Sequence, residues 1–90
     1  MKVELNSFAN LVNSETSDYK KSTAYELEDG QTVEHLIKLA GIKSEDVAMA
    51  FVNGRVVKLD TILTDGDRVD LTPAAAALMT YPQVLYHFLS

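Results

Sequence analysis

The sequence predicts an α+β domain in which a mixed sheet of four to five strands carries one main helix packed on one face. Three observations predict it. Several short runs alternate apolar and polar residues with the period of two that half-buried strands require. One segment, between Thr32 and Gly41, carries an unbroken apolar stripe at helical spacing. Two turn signals, Asn53-Gly54 and Asp65-Gly66-Asp67, divide the second half of the chain into strands.

Each element follows from its residues. Val3, Leu5 and Ser7 alternate with Lys2, Glu4 and Asn6, which predicts a first strand ending near Phe8, with Ser7 the weak member of its inner face. Asn13 to Ser22 is polar and lacks a periodic apolar pattern, so it reads as a connecting loop. Thr23 to Glu28 sets Tyr25 and Leu27 on one side and Glu26 and Glu28 on the other, as expected of a second strand pairing with the first.

Asp29-Gly30 ends that strand, and Thr32 is placed to cap a helix whose Val33, Leu36, Ile37 and Ala40 fall at i, i+3, i+4 and i+7. Glu34 near its start and Lys38 near its end suit the helix dipole, and Gly41 stands where a left-handed residue would close it. Ser44-Glu45-Asp46 reads as a polar turn. Val47 to Val52 and Arg55 to Lys58 form a hairpin around Asn53-Gly54, because a two-residue type I′ turn needs positive φ at both central positions. Leu59 to Leu63 reads as a short turn beneath the sheet, and Val69 and Leu71 alternate with Arg68 and Asp70 in a closing strand. Strand, strand, helix, strand, strand, short turn, strand is the order of a ubiquitin-like β-grasp, in which one amphipathic stripe and one sheet face share a core.

Four segments carry a more specific resemblance. Phe8-Ala9-Asn10-Leu11, Leu27-Glu28-Asp29-Gly30-Gln31-Thr32-Val33, Val52-Asn53-Gly54-Arg55-Val56-Val57 and Asp65-Gly66-Asp67-Arg68-Val69 stand in the order and spacing of the ThiS/MoaD family. The chain resembles those β-grasp sulfur carriers of thiamine and molybdopterin synthesis over roughly residues 1 to 73. With no Gly-rich phosphate loop and no histidine or nucleophile in motif spacing, the chain is not expected to be an enzyme in its own right, and no cofactor is expected. The resemblance implies that its protein partner would be an adenylating enzyme or a cofactor-synthesis subunit. Family members work through a flexible Gly-Gly end, adenylated by the partner and converted to a thiocarboxylate; glycines let the last residues thread a narrow tunnel in extended or positive-φ conformations.

Here the pattern changes. After Leu71-Thr72-Pro73 stand Ala74-Ala75-Ala76-Ala77 and then thirteen further residues, so the expected division is a β-grasp domain over 1–73 and an apolar extension over 74–90. Ala76 and Ala77 occupy the carrier-tail positions, where a methyl group narrows the fit and favours helix over extended chain. The extension places Leu78, Tyr81, Leu85 and Phe88 at near-helical spacing, interrupted by Pro82. Either it folds back on its own domain or pairs two copies in a homodimer, or it docks into a partner's groove. Met49 and Phe51 share one face of their strand. They are core or, in a ubiquitin-like register, a partner-binding patch on the face away from the helix. That leaves two readings of function, a carrier-type protein acting on a larger partner and a non-carrier interaction module using the sheet face and the tail.

Composition limits the alternatives. Eight Lys and Arg against thirteen Asp and Glu give a net charge of −5, which repels nucleic-acid backbones. The absence of Cys excludes disulfides, thiolate metal sites and a cysteine nucleophile in this sequence. His35 and His87 are far apart and suggest no metal site, and Glu45 and Asp46 read as solvated charge. Neither a signal peptide nor a membrane-length apolar run is legible, so the expected location is the cytoplasm.

Overall fold

The structure is a computed structural model, and it describes residues 1–8, 22–80 and 84–85. Five strands form one sheet: β1 (Lys2–Asn6), β2 (Thr23–Glu26), β3 (Val47–Val52), β4 (Arg55–Val57) and β5 (Arg68–Pro73). Their spatial order is β2-β1-β5-β3-β4. The central β1–β5 pair is parallel and the other pairs are antiparallel, as in the expected mixed β-grasp sheet. Helix α1 (Val33–Leu39) follows β2, a 3-10 turn spans Ser44–Asp46, and a second helix, α2 (Ala75–Thr80), follows β5.

The registers separate two faces. Val3 pairs with Tyr25, Leu5 with Val69, Val52 with Val69 and Ala50 with both Leu71 and Val57, so these residues share the inner face. Val33, Leu36 and Ile37 of α1 are fully buried, and together with Val3, Leu5, Val69 and Leu71 they build the core. The helix starts as its sequence demands. Thr32 lies in extended backbone and its hydroxyl oxygen accepts a 3.3 Å hydrogen bond from the His35 N–H. The segment after β4 supplies further partners for that end, because the Val33 and Glu34 N–H groups donate to the Thr61 and Leu59 carbonyls. Leu63 from the same segment is buried in the core.

Two turns are joined by one asparagine. Asn53 and Gly54 have φ of 52° and 83°, the positive pair that a two-residue hairpin of this hand requires. The Asn53 side chain then donates to Asp67 at 2.9 Å and accepts from the Arg68 N–H at 3.1 Å. Asp67 also accepts from the Thr64 N–H at 2.8 Å. Partial burial opposes ionisation of Asp67, but the hydrogen bonds from Thr64 and Asn53 outweigh it and hold the carboxyl below its ordinary range.

Some expectations shift. β1 ends at Asn6 rather than near Phe8, and Ser7 and Phe8 are buried beyond it. β2 stops at Glu26, two residues early, although Leu27 is still buried. Asp46 is not solvated charge: it is buried, and its backbone carbonyl accepts a 2.7 Å hydrogen bond from the Ala74 N–H. Ala9, Asn10, Leu11 and most of the polar loop lie outside the described residues, as do Tyr81, Pro82, His87 and Phe88.

Candidate functional site

The face of the sheet turned away from α1 is built by the partners that alternate with the core. Across β1, β5, β3 and β4, Glu4 lies opposite Arg68, Asn6 opposite Asp70, Asp70 opposite Phe51 and Phe51 opposite Val56. The centre is polar, with the Arg68 Nε 3.8 Å from an Asp70 carboxylate oxygen. Toward the β4 edge the character changes to apolar. Met49 is 44% exposed, Val56 is 61% exposed and Phe51 is half-buried between them.

Local backbone aims this patch. Val47 pairs with Pro73 while Met49 pairs with Thr72, so β3 has one residue more than β5 at this point and Ala48 forms a bulge. Thr72 repairs the ladder with its side chain. Its hydroxyl accepts from the Met49 N–H at 3.1 Å and donates to the Met49 carbonyl at 3.4 Å. Past the bulge, Ala50 and Val52 turn inward and Phe51 turns outward, which is the ubiquitin-like register. Val56 completes the patch and was missed in the sequence reading. The signal was present, because a two-residue turn at Asn53-Gly54 obliges Phe51 and Val56 to face each other.

One fold can host many unrelated functions, so the family has to come from the sequence. The model of the ThiS family matches residues 10–76. This chain belongs to the ThiS family. Two solved structures share its fold. It is similar to SAMP1 from Haloferax volcanii, with a TM-score of 0.62 and 16% identity over 84% of this chain and 98% of that one. It is also similar to a candidate molybdopterin converting factor, subunit 1, from Pyrococcus furiosus, with a TM-score of 0.59 and 25% identity over 83% of this chain and 99% of that one. Comparison with curated proteins gives no match.

The ThiS-family match ends at residue 76, inside α2. Of the two carrier-tail positions, Ala76 is exposed and Ala77 is completely buried. Both are helical, and neither extends away from the domain. Val84 is completely buried as well, in the same cluster as the residues of the sheet and α1. Leu78 packs partly against that cluster, Leu85 is half-buried, and Met79 points out, 82% exposed. The predicted partner-binding residues therefore divide: Met49 and Phe51 lie together on the outer sheet face, while Leu78 and Leu85 sit beyond β5. His35 is exposed on α1. No group of three or more His, Asp and Glu side chains among the described residues is arranged to hold a metal ion. No helix among them is long and apolar enough to cross a membrane.

Proposed function

We propose that this ThiS-family chain is a small ubiquitin-like carrier-type protein that acts by docking the outer face of its sheet onto a larger partner in sulfur transfer or metal-pterin cofactor assembly. The partner is an adenylating enzyme or a cofactor-synthesis subunit, and it performs the chemistry. One observation carries the reading. The Met49, Phe51 and Val56 patch sits exposed to half-buried on the sheet face opposite the core, at the edge of a polar centre. Apolar anchors bordered by polar groups are what a protein interface of modest size needs. The likeness to the candidate molybdopterin converting factor supports this class of partner.

Carrier chemistry in the family's usual form has less support. A terminus loaded through a tunnel has to lie extended, and Ala74 to Ala77 favour helix and carry methyl groups that glycine lacks. The burial of Ala77 and Val84 favours the sheet face over the tail as the contact element, since a side chain spent on its own core is not free for a partner. The chain is to be incubated with an adenylating enzyme of the family's type, ATP and a sulfur donor. We expect a stable complex and an unchanged intact mass. Replacement of a carboxyl oxygen by sulfur, seen as a mass gain on this chain, would restore the ordinary carrier reading.

A further inference from the structure

We propose that Asn53-Gly54 is a site of spontaneous deamidation, which the folded domain restrains through Asp67 and Arg68 and whose products the turn does not accommodate. The chemistry starts from the residue pair. Of the four asparagines in the chain, Asn53 alone precedes glycine. Glycine has no side chain to shield its amide nitrogen, so the Gly54 nitrogen can reach the Asn53 Cγ and close a cyclic imide. A bond forms from the Gly54 nitrogen to Cγ as the bond from Cγ to Nδ2 breaks, and Nδ2 leaves with the Gly54 amide proton as ammonia. Water then adds to one of the two imide carbonyls and gives aspartate or isoaspartate. Nothing is oxidised or reduced, and both residues are exposed to the water that the reaction consumes.

In the folded chain the side-chain amide is held by the neighbouring strand. Its Nδ2 donates to Asp67 at 2.9 Å and its Oδ1 accepts from the Arg68 N–H at 3.1 Å. The Asn53 backbone N–H donates to the Arg68 carbonyl at 2.8 Å, so Asn53 and Arg68 are joined in both directions. Ring closure removes Nδ2 and commits Cγ to the Gly54 nitrogen, so both side-chain bonds are given up on the way. The reaction therefore waits on local release of the turn, and the unfolded chain reacts faster.

The products do not restore the junction. Aspartate at position 53 puts a carboxylate oxygen where the donor stood, facing the Asp67 carboxylate, and an attractive contact becomes a pair of like charges. Isoaspartate adds a backbone carbon to the two-residue turn and disturbs the register that sets Phe51 opposite Val56. Deamidation thus strikes the hairpin that carries the outer-face patch. Its effect on partner binding rests on the function proposed above, but the chemistry and its restraint do not, so the two readings fail separately.

The full chain is to be held in mildly alkaline buffer, with and without denaturing guanidinium chloride, and then digested with trypsin. Peptide 44–55 contains Asn53 and no other Asn or Gln, so its Asn-to-Asp mass change reports this site. We expect that change to be at least about tenfold slower in native buffer than in denaturant. Asp67→Ala should speed it at least about fivefold in native buffer, whereas Thr32→Ala, which weakens the domain at the α1 cap, should stay within about twofold of the parent. Asp67→Leu replaces Asp67→Ala if the latter does not give the parental circular dichroism. Asn53→Asp, the simple product, should unfold at a lower denaturant concentration than the parent. Equal parental rates in the two buffers, or equal rates in the Asp67 and Thr32 variants, would overturn the restraint. A peptide unchanged even in denaturant would overturn the site, and a parental midpoint for Asn53→Asp would overturn the consequence for the turn.

Discussion

Asn53 and Asp67 show how single side chains hold this fold's geometry. Asn53 adopts positive φ, which most non-glycine residues resist, and its amide then ties the β3–β4 turn to the start of β5. Asn53→Ala should lose both the favourable turn conformation and these bonds, costing about 1 to 2 kcal/mol in a urea titration. Asp67 makes the same junction depend on pH. Its carboxyl titrates below the ordinary value, so its contribution is fully present above the unfolded-chain value of about 3.9 and is lost as pH falls through the folded value. The urea midpoint of Asp67→Ala should therefore lie below that of the parent chain near about pH 7, with the gap narrowing near about pH 2. A gap that does not narrow would assign the effect to packing.

At the scale of elements, the helix and the turns are secured by different means. α1 begins with a side-chain cap on the His35 N–H and two backbone bonds from the segment after β4. Thr32→Ala should cost about 1 kcal/mol, and Leu36→Ala, which empties a fully buried site, about 2 to 5 kcal/mol. Equal losses from the two, measured by thermal unfolding, would contradict this account of where the helix gets its stability. The same elements show what could be read in advance. The helix stripe, its cap and both turns were legible because each depends on residues a few positions apart. The early end of β2 and the burial of Asp46 were not, because long-range packing decides them. The bulge at Ala48 was equally hidden, since it depends on Pro73 and Thr72 arriving opposite β3 from more than twenty residues away.

At the scale of the whole molecule, one chain carries a family fold and an apolar patch that the β3–β4 hairpin places on the outer sheet face. Met49 and Phe51 were legible as a pair, but alternation alone left their side undecided. The sheet order settles it, because pairing Val52 with Val69 commits Val52 inward and Phe51 outward. The tail was legible only as an apolar segment needing cover, and Ala77 and Val84 find that cover in the same core as the helix. In the function proposed above the outer sheet face is the working surface, while Ala77 and Val84 are buried in the domain's own core.

The most direct test of that claim is the affinity of a family-type adenylating enzyme for the full chain, measured by calorimetry with Phe51→Asp and Met79→Asp beside the parent. Met79→Asp, on an exposed position of α2, should bind as the parent does. Phe51→Asp places a charge in the centre of the apolar patch and should weaken binding by at least about tenfold while leaving the circular dichroism unchanged. Parental affinity in a folded Phe51→Asp chain would contradict the account.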